Sequence, residues 1–137
     1  MPRFDSATGR YTYLSIDDTE YRLYFEEAGT GEIGLLLQHT AGADGRQWRH
    51  IMEDDYLGSK FRLIAYDLPY HGKSVPPADS KWWEEEYRLE KEFLMQVPIT
   101  LARTLELDRP VYMGSSIGGH LAVDLALHHP NEFRAVV

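Results

Sequence analysis

Apolar and polar positions change rhythm several times along this chain. Tyr21, Leu23 and Phe25 alternate with Glu20, Arg22, Tyr24 and Glu26. Period two belongs to a strand with one face in solvent, so residues 11–16 and 20–26 are predicted to be two strands. Asp17-Asp18-Thr19 is the expected tight turn between them. After Gly29-Thr30-Gly31 the alternation gives way to Leu35-Leu36-Leu37, a solid apolar run of the kind a strand shows when both faces are covered. Trp48, Ile51, Met52 and Tyr56 then recur at helical spacing, with Gly58 as the predicted stop. Residues 61–66 (FRLIAY) read as another strand, and residues 67–82 as a loop rich in Pro, Gly and Ser. From Glu84 to Leu107 the pattern is helical, with Val97, Leu101 and Leu105 on one stripe and Pro98 expected to kink or restart the helix. Val111–Met113 is the next strand. The helix after Ser116 is predicted to bury Leu121, Ala122, Leu125 and Ala126 and to end before Pro130, and residues 134–137 begin one more strand.

A hairpin followed by strictly alternating strands and helices predicts an α/β fold: a mostly parallel sheet with an N-terminal antiparallel hairpin and helices on both faces. A chain of 137 residues is at most one domain. Its net charge of −8 argues against a nucleic-acid partner, which wants a basic patch. The absence of cysteine excludes disulfides and thiolate chemistry. The six histidines show no HExxH or comparable spacing, so neither a metal nor another cofactor is expected. No run reaches membrane-spanning length, and Met1-Pro2-Arg3-Phe4-Asp5 has no signal-like apolar core, so a cytoplasmic protein without a membrane partner is expected. The acidic run Glu84-Glu85-Glu86 is expected to be a solvated helix start.

The stretch with the most chemistry is Gly114-Ser115-Ser116-Ile117-Gly118, between a predicted strand and a predicted helix. Gly-x-Ser-x-Gly in that context fits a sharp turn that leaves no room for side chains at Gly114 and Gly118 and holds Ser116 at its tip. Ser116 at the positive end of a helix is then either an exposed nucleophile or a helix cap.

Three segments together resemble the α/β-hydrolase family, from about Tyr11 to Val137. Gly114–Gly118 matches that family's nucleophile elbow. Leu35-Leu36-Leu37-Gln38-His39-Thr40-Ala41-Gly42 falls where the family has an apolar strand followed by His-Gly, with Thr40 in place of the glycine. Asp67-Leu68-Pro69-Tyr70-His71-Gly72-Lys73-Ser74 is similar to its Asp-x-Pro-Gly-His-Gly-x-Ser loop, with Tyr70 in place of the first glycine. The resemblance implies Ser116 as nucleophile and the backbone amides of Ala41 and Ile117 as oxyanion donors. It implies supporting roles for His39, Asp67 and His71, which hold loops. Trp82 and Trp83 stand near where some relatives line the entrance to the site, and burial explains them equally well.

The resemblance also implies a catalytic acid and histidine on later strands. Of the groups after Ser116, Asp124, His120 and His128 fall in or at the end of the following helix, and His128 and His129 suit a helix C-terminus. The expectation is therefore that residues 1–137 are the N-terminal part of a single hydrolase domain, truncated before the acid and base and inactive alone. It would need its remaining half, or a partner chain, to complete the sheet. The expected function is cleavage of a small carboxylic ester, thioester or lactone through an acyl-enzyme on Ser116. The alternatives are a Ser-dependent C–C hydrolase, perhydrolase or lyase of the same fold, or a non-catalytic or split binding module. Serine at position 116 argues against relatives that use aspartate there.

Overall fold

The computed structural model describes all residues from Met1 to Val137. One six-stranded sheet organises the chain. Strands β1 (Thr8–Ile16) and β2 (Thr19–Ala28) form an antiparallel hairpin with Ile16 opposite Thr19. Asp17 and Asp18 make its two-residue turn with φ of 49° and 60°. Positive φ at both central positions is what matches a turn to the twist of the flanking strands. β2 runs antiparallel to β4 (Phe61–Tyr66), and from there the sheet is parallel through β3 (Ile33–Gln38), β5 (Val111–Gly114) and β6 (Ala135–Val136).

The apolar positions of the central strands are divided residue by residue between two cores. Leu36, Ile64, Tyr66 and Tyr112 face the larger core, which α3 (Lys91–Thr104) and α4 (Ile117–His128) cover. Leu35, Leu37, Leu63 and Ala65 face a smaller core with Trp48 and Met52. A strand alternates its side chains, so only a sheet covered on both sides needs apolar residues at every position.

Three predicted elements need correction. The single helix expected from Trp48 to Gly58 is a 3₁₀ turn (Gly45–Trp48) followed by two short helices, α1 (Arg49–Met52) and α2 (Asp55–Lys60). Asp54 interrupts them because its carboxylate caps the second, accepting from the Leu57 N–H at 2.8 Å. Tyr56 is exposed, and Gly58 lies inside α2, where its carbonyl accepts from the Thr30 N–H at 2.7 Å. The long helix expected from Glu84 to Leu107 begins only at Lys91; Glu85 and Glu86 precede it and do not start a helix. Pro98 is buried within α3, which continues past it. In α4, Leu121, Ala122 and Leu125 are buried as expected, whereas Ala126 is exposed.

Candidate active site

The carboxyl ends of β4, β3 and β5 lie side by side, and each delivers one of the three motifs. Gln38 pairs with Tyr66 on one side and with Gly114 on the other, so the loops that follow leave the sheet from a common rung.

Ser116 sits between β5 and α4 with φ 57° and ψ −113°, a backbone conformation that L-residues rarely adopt. It is exposed, and its side chain makes no capping hydrogen bond to α4. Helix capping therefore does not explain this serine. The turn is as tight as the glycines imply. A Cβ on Gly114 would lie 2.3 Å from the carbonyl carbon of Gly118, and one on Gly118 would lie 3.1 Å from the carbonyl oxygen of Gln38. Ile117 is the first residue of α4, a position whose amide precedes the first intrahelical hydrogen bond.

The loop after β3 is pinned at one peptide. His39 is fully buried, with Nδ1 2.7 Å from the Thr40 carbonyl oxygen, while its Nε2 accepts from the Leu68 N–H at 3.0 Å. That pair of bonds assigns the neutral tautomer with the proton on Nδ1, and burial pushes the imidazole below its ordinary pKa. The Thr40 carbonyl also accepts from the Ala43 N–H at 3.2 Å. In a trans peptide the N–H points away from the C=O, so holding the Thr40 carbonyl inward turns the Ala41 N–H outward. Ala41 is exposed, and its amide has no partner within the chain. The Thr40 N–H is occupied by the Gln47 Oε1 at 2.9 Å. Gln47 was not singled out from the sequence, and a polar residue between Gly45 and Trp48 carries no signal for that bond.

The loop after β4 is tied down by its own motif. The Asp67 carboxylate is buried and accepts from the Gly45 N–H at 2.7 Å and the Lys73 N–H at 2.8 Å. Ser74 donates to the Asp67 carbonyl at 2.7 Å and accepts from the Tyr24 N–H at 2.9 Å. His71 Nδ1 lies 3.0 Å from the Pro69 carbonyl oxygen, and its ring packs 5.1 Å from that of His39. Asp67 and His71 thus bond to different backbone groups and not to each other. Gly72 has φ 49° and its Cα approaches the Asp67 carboxylate so closely that a Cβ would stand 2.2 Å from Oδ2.

Beside His71 opens a cleft of about 780 Å³ walled by Tyr21, Tyr70, Trp82, Tyr87 and Phe93. Ser116 does not line it, and of the tryptophan pair only Trp82 does. Burial raises the Tyr87 phenol to about 12. Downstream of Ser116, Asp124 lies 3.8 Å from Lys91, and Glu132 pairs with Arg103. None of these groups, nor His120, His128 or His129, is hydrogen-bonded to the Ser116 hydroxyl. No cluster of His, Asp and Glu has the arrangement of a metal site, and no helix is long and apolar enough to cross a membrane.

A sheet with this strand order, a strand–serine–helix turn and two buttressed loops at its carboxyl edge define a protein of the α/β-hydrolase class. Residues 35–137 match the family described as the alpha/beta hydrolase fold, and the chain belongs to that family. Over 137 residues it is 30% identical to a 2-hydroxy-6-oxononadienedioate/2-hydroxy-6-oxononatrienedioate hydrolase of Burkholderia vietnamiensis, covering 97% of this chain and 44% of the relative. Among solved structures it is similar to a thermophilic esterase from Thermogutta terrifontis, with 25% identity and TM-score 0.77 over 93% of this chain and 44% of that one. It is also similar to the N-acyl homoserine lactonase AidH complexed with N-hexanoyl homoserine, with 28% identity and TM-score 0.71 over 94% and 44%. The chain spans about 44% of the length of the curated relatives it matches first.

Proposed function

We propose that this chain supplies the nucleophile and the oxyanion-binding amides of a serine hydrolase, and that the bond it cleaves is a carbon–carbon bond beside a ketone in a small organic acid. The observation that carries the serine mechanism is Ser116, held in a strained conformation with a free, exposed hydroxyl at the first turn of α4. The carbon–carbon reading is supported by 30% identity, over nearly the whole chain, to a hydrolase of a 2-hydroxy-6-oxo dioate. That compound, by its name, has a ketone and no ester, so the bond open to hydrolysis adjoins the ketone.

In this reading Ser116 Oγ attacks the carbonyl carbon as a histidine removes its proton. The carbonyl electron pair moves onto oxygen, and the oxyanion accepts hydrogen bonds from the N–H groups of Ala41 and Ile117. Collapse breaks the bond to the leaving carbon, which takes the proton from the histidine, and an acyl group remains on Ser116. Water then cleaves that ester, yielding a carboxylic acid and free serine. The histidine and its acid belong to chain beyond Val137, as does any cap over the site, and the protein works in the cytoplasm without a cofactor. A second reading, cleavage of a small ester or lactone by the same groups, is favoured by the likeness to the esterase and the lactonase.

The test is turnover by the full-length polypeptide of a 2-hydroxy-6-oxo dienoic acid, compared with 4-nitrophenyl acetate and an N-acyl homoserine lactone. The keto acid is expected to give the highest kcat/KM, and Ser116→Ala to abolish it. Turnover of the ester or lactone alone moves the conclusion to the second reading. A folded sample with no turnover and no labelling by a fluorophosphonate excludes both and leaves a binding module.

A further inference from the structure

Directly beneath the Ser116 turn, at the end of the larger core, lies a polar cluster that neither motif nor mechanism accounts for. Gln38, Tyr66 and Tyr112 are all completely buried. Gln38 and Tyr66 are partners in the β3–β4 register, and Tyr112 is opposite Leu36, so all three side chains emerge on the same face of the sheet. The Tyr66 hydroxyl donates to Gln38 Oε1 at 2.7 Å, and the Tyr112 hydroxyl donates to the Gly118 carbonyl at 3.0 Å. The Gln38 Nε2 has no partner, and it would lie 3.5 Å from a Cβ on Gly118. Burial drives both tyrosine hydroxyls far from ionisation, so they act here as neutral donors.

A core of this size would be more stable with apolar groups at these positions, because a buried donor without a partner is a net loss. What the cluster does provide is a link from the ends of β4 and β3 to the first turn of α4. Tyr66 is the last residue of β4 and precedes Asp67. Gln38 is the last residue of β3 and precedes His39, Thr40 and Ala41. The Tyr112 hydroxyl reaches the first turn of α4, two residues from Ser116.

We propose that Gln38, Tyr66 and Tyr112 are positioning residues that fix the height of the Ser116 turn relative to the Ala41 amide. Gln38 is the centre of the arrangement. Its backbone pairs with Gly114, its side chain packs on Gly118 and is held by Tyr66, and its own peptide leads into the loop that carries Ala41. An amide displaced by a fraction of an ångström from the developing oxyanion loses much of its effect, so a rung that ties both donors together bears on rate and not on substrate binding. The inference rests on the serine-hydrolase reading above.

The experiment compares wild type with the double variant Gln38→Met/Tyr66→Phe and with Tyr112→Phe, all in the full-length polypeptide. Four quantities are read: the rate of fluorophosphonate labelling of Ser116, kcat and KM for whichever substrate is turned over, and Tm. The double variant removes both members of the hydrogen-bonded pair and the orphaned donor together, so its Tm is expected to equal or exceed that of wild type. Its labelling rate and kcat are expected to fall about tenfold or more with KM little changed. Tyr112→Phe, which frees only the Gly118 carbonyl, is expected to slow labelling in the same way. Wild-type labelling rates in both variants would overturn the proposal, as would a loss of rate that merely follows a loss of Tm. A wild-type protein that is folded yet not labelled would instead overturn the underlying serine-hydrolase reading, and this inference with it.

Discussion

Nδ1 of His39 and the carbonyl oxygen of Thr40 are 2.7 Å apart, and that contact sets the direction of the next amide in the chain. The imidazole is a strut between two loops, since its other nitrogen accepts from Leu68. With both nitrogens committed and the ring fully buried, it is poorly placed to act as a base.

This strut makes the fold sensitive to mild acid. Burial holds the His39 pKa below its ordinary 6.5, so between the two values the unfolded chain binds a proton that the folded chain does not. Stability is therefore fully present above about pH 6.5 and falls as the pH drops toward the depressed folded-state value. Replacing His39 with Asn should flatten that limb of a Tm-against-pH curve. At lower pH a second loss is expected as Asp44, held near 2 chiefly by its hydrogen bonds from the Arg46 side chain, becomes protonated. A wild-type Tm that is level from pH 7.5 to 5.5 would contradict the first of these assignments.

The strained serine invites a paired substitution. Ser116→Ala keeps the positive φ and should leave stability nearly unchanged while removing all fluorophosphonate labelling. Ser116→Gly should raise stability by about 1 kcal/mol, since glycine relieves a backbone strain of about 1–3 kcal/mol and gives back about 0.4–1 kcal/mol through the greater freedom of the unfolded chain. Denaturant midpoints of the two variants test this, and a glycine variant less stable than the alanine variant would mean that Ser116 carries no strain.

The two motif glycines should not be equally sensitive. An alanine at 114 drives its Cβ to 2.3 Å from the backbone of Gly118, and neither partner is a movable side chain. A loss of about 3 kcal/mol is expected. An alanine at 118 meets the Gln38 carbonyl at 3.1 Å, a contact that a small shift relieves, so about 1–2 kcal/mol is expected. Unfolding free energies in the reverse order would refute the packing described for this turn.

Much of this was legible in the sequence because strands and motifs leave periodic or punctuated signals. Leu35–Leu37 announced a strand buried on both faces, residues 61–66 read as a further strand, and three short motifs indicated which loops share the sheet's carboxyl edge. Other features were illegible for physical reasons. Asp54 splits the predicted 48–58 helix through one side-chain bond, which hydrophobic spacing does not register. Residues 85–90 are rich in good helix formers, yet they stay outside α3 and Tyr87 packs against Tyr70 and His71. Tyr66 and Tyr112 counted as apolar in their strands, so the hydroxyl network that joins them to Gln38 and Gly118 stayed hidden until the registers were known.

Tyr70 shows what happens when a motif glycine is replaced. It stands at the first glycine position of the Asp-x-Pro-Gly-His-Gly pattern and keeps the backbone that glycine prefers, with φ 68°. For a bulky residue that conformation costs about 1–2 kcal/mol. The compensation is aromatic: its ring lies 5.4 Å from that of Tyr87 and 6.5 Å from that of Tyr21, contacts worth about 0.5–1.5 kcal/mol each. Tyr70→Gly removes the strain and the contacts together, so a net stability change within about 1 kcal/mol is expected. Tyr70→Ala loses the contacts and keeps the strain, and should be less stable than the glycine variant by about 1 kcal/mol. Both variants open the cleft beside His71 to the same degree, so any property of that cleft should change equally in the two. The decisive comparison is the unfolding free energy of glycine against alanine at this one position: an alanine variant more stable than the glycine variant by about 0.4–1 kcal/mol would show that Tyr70 is not held in a strained backbone.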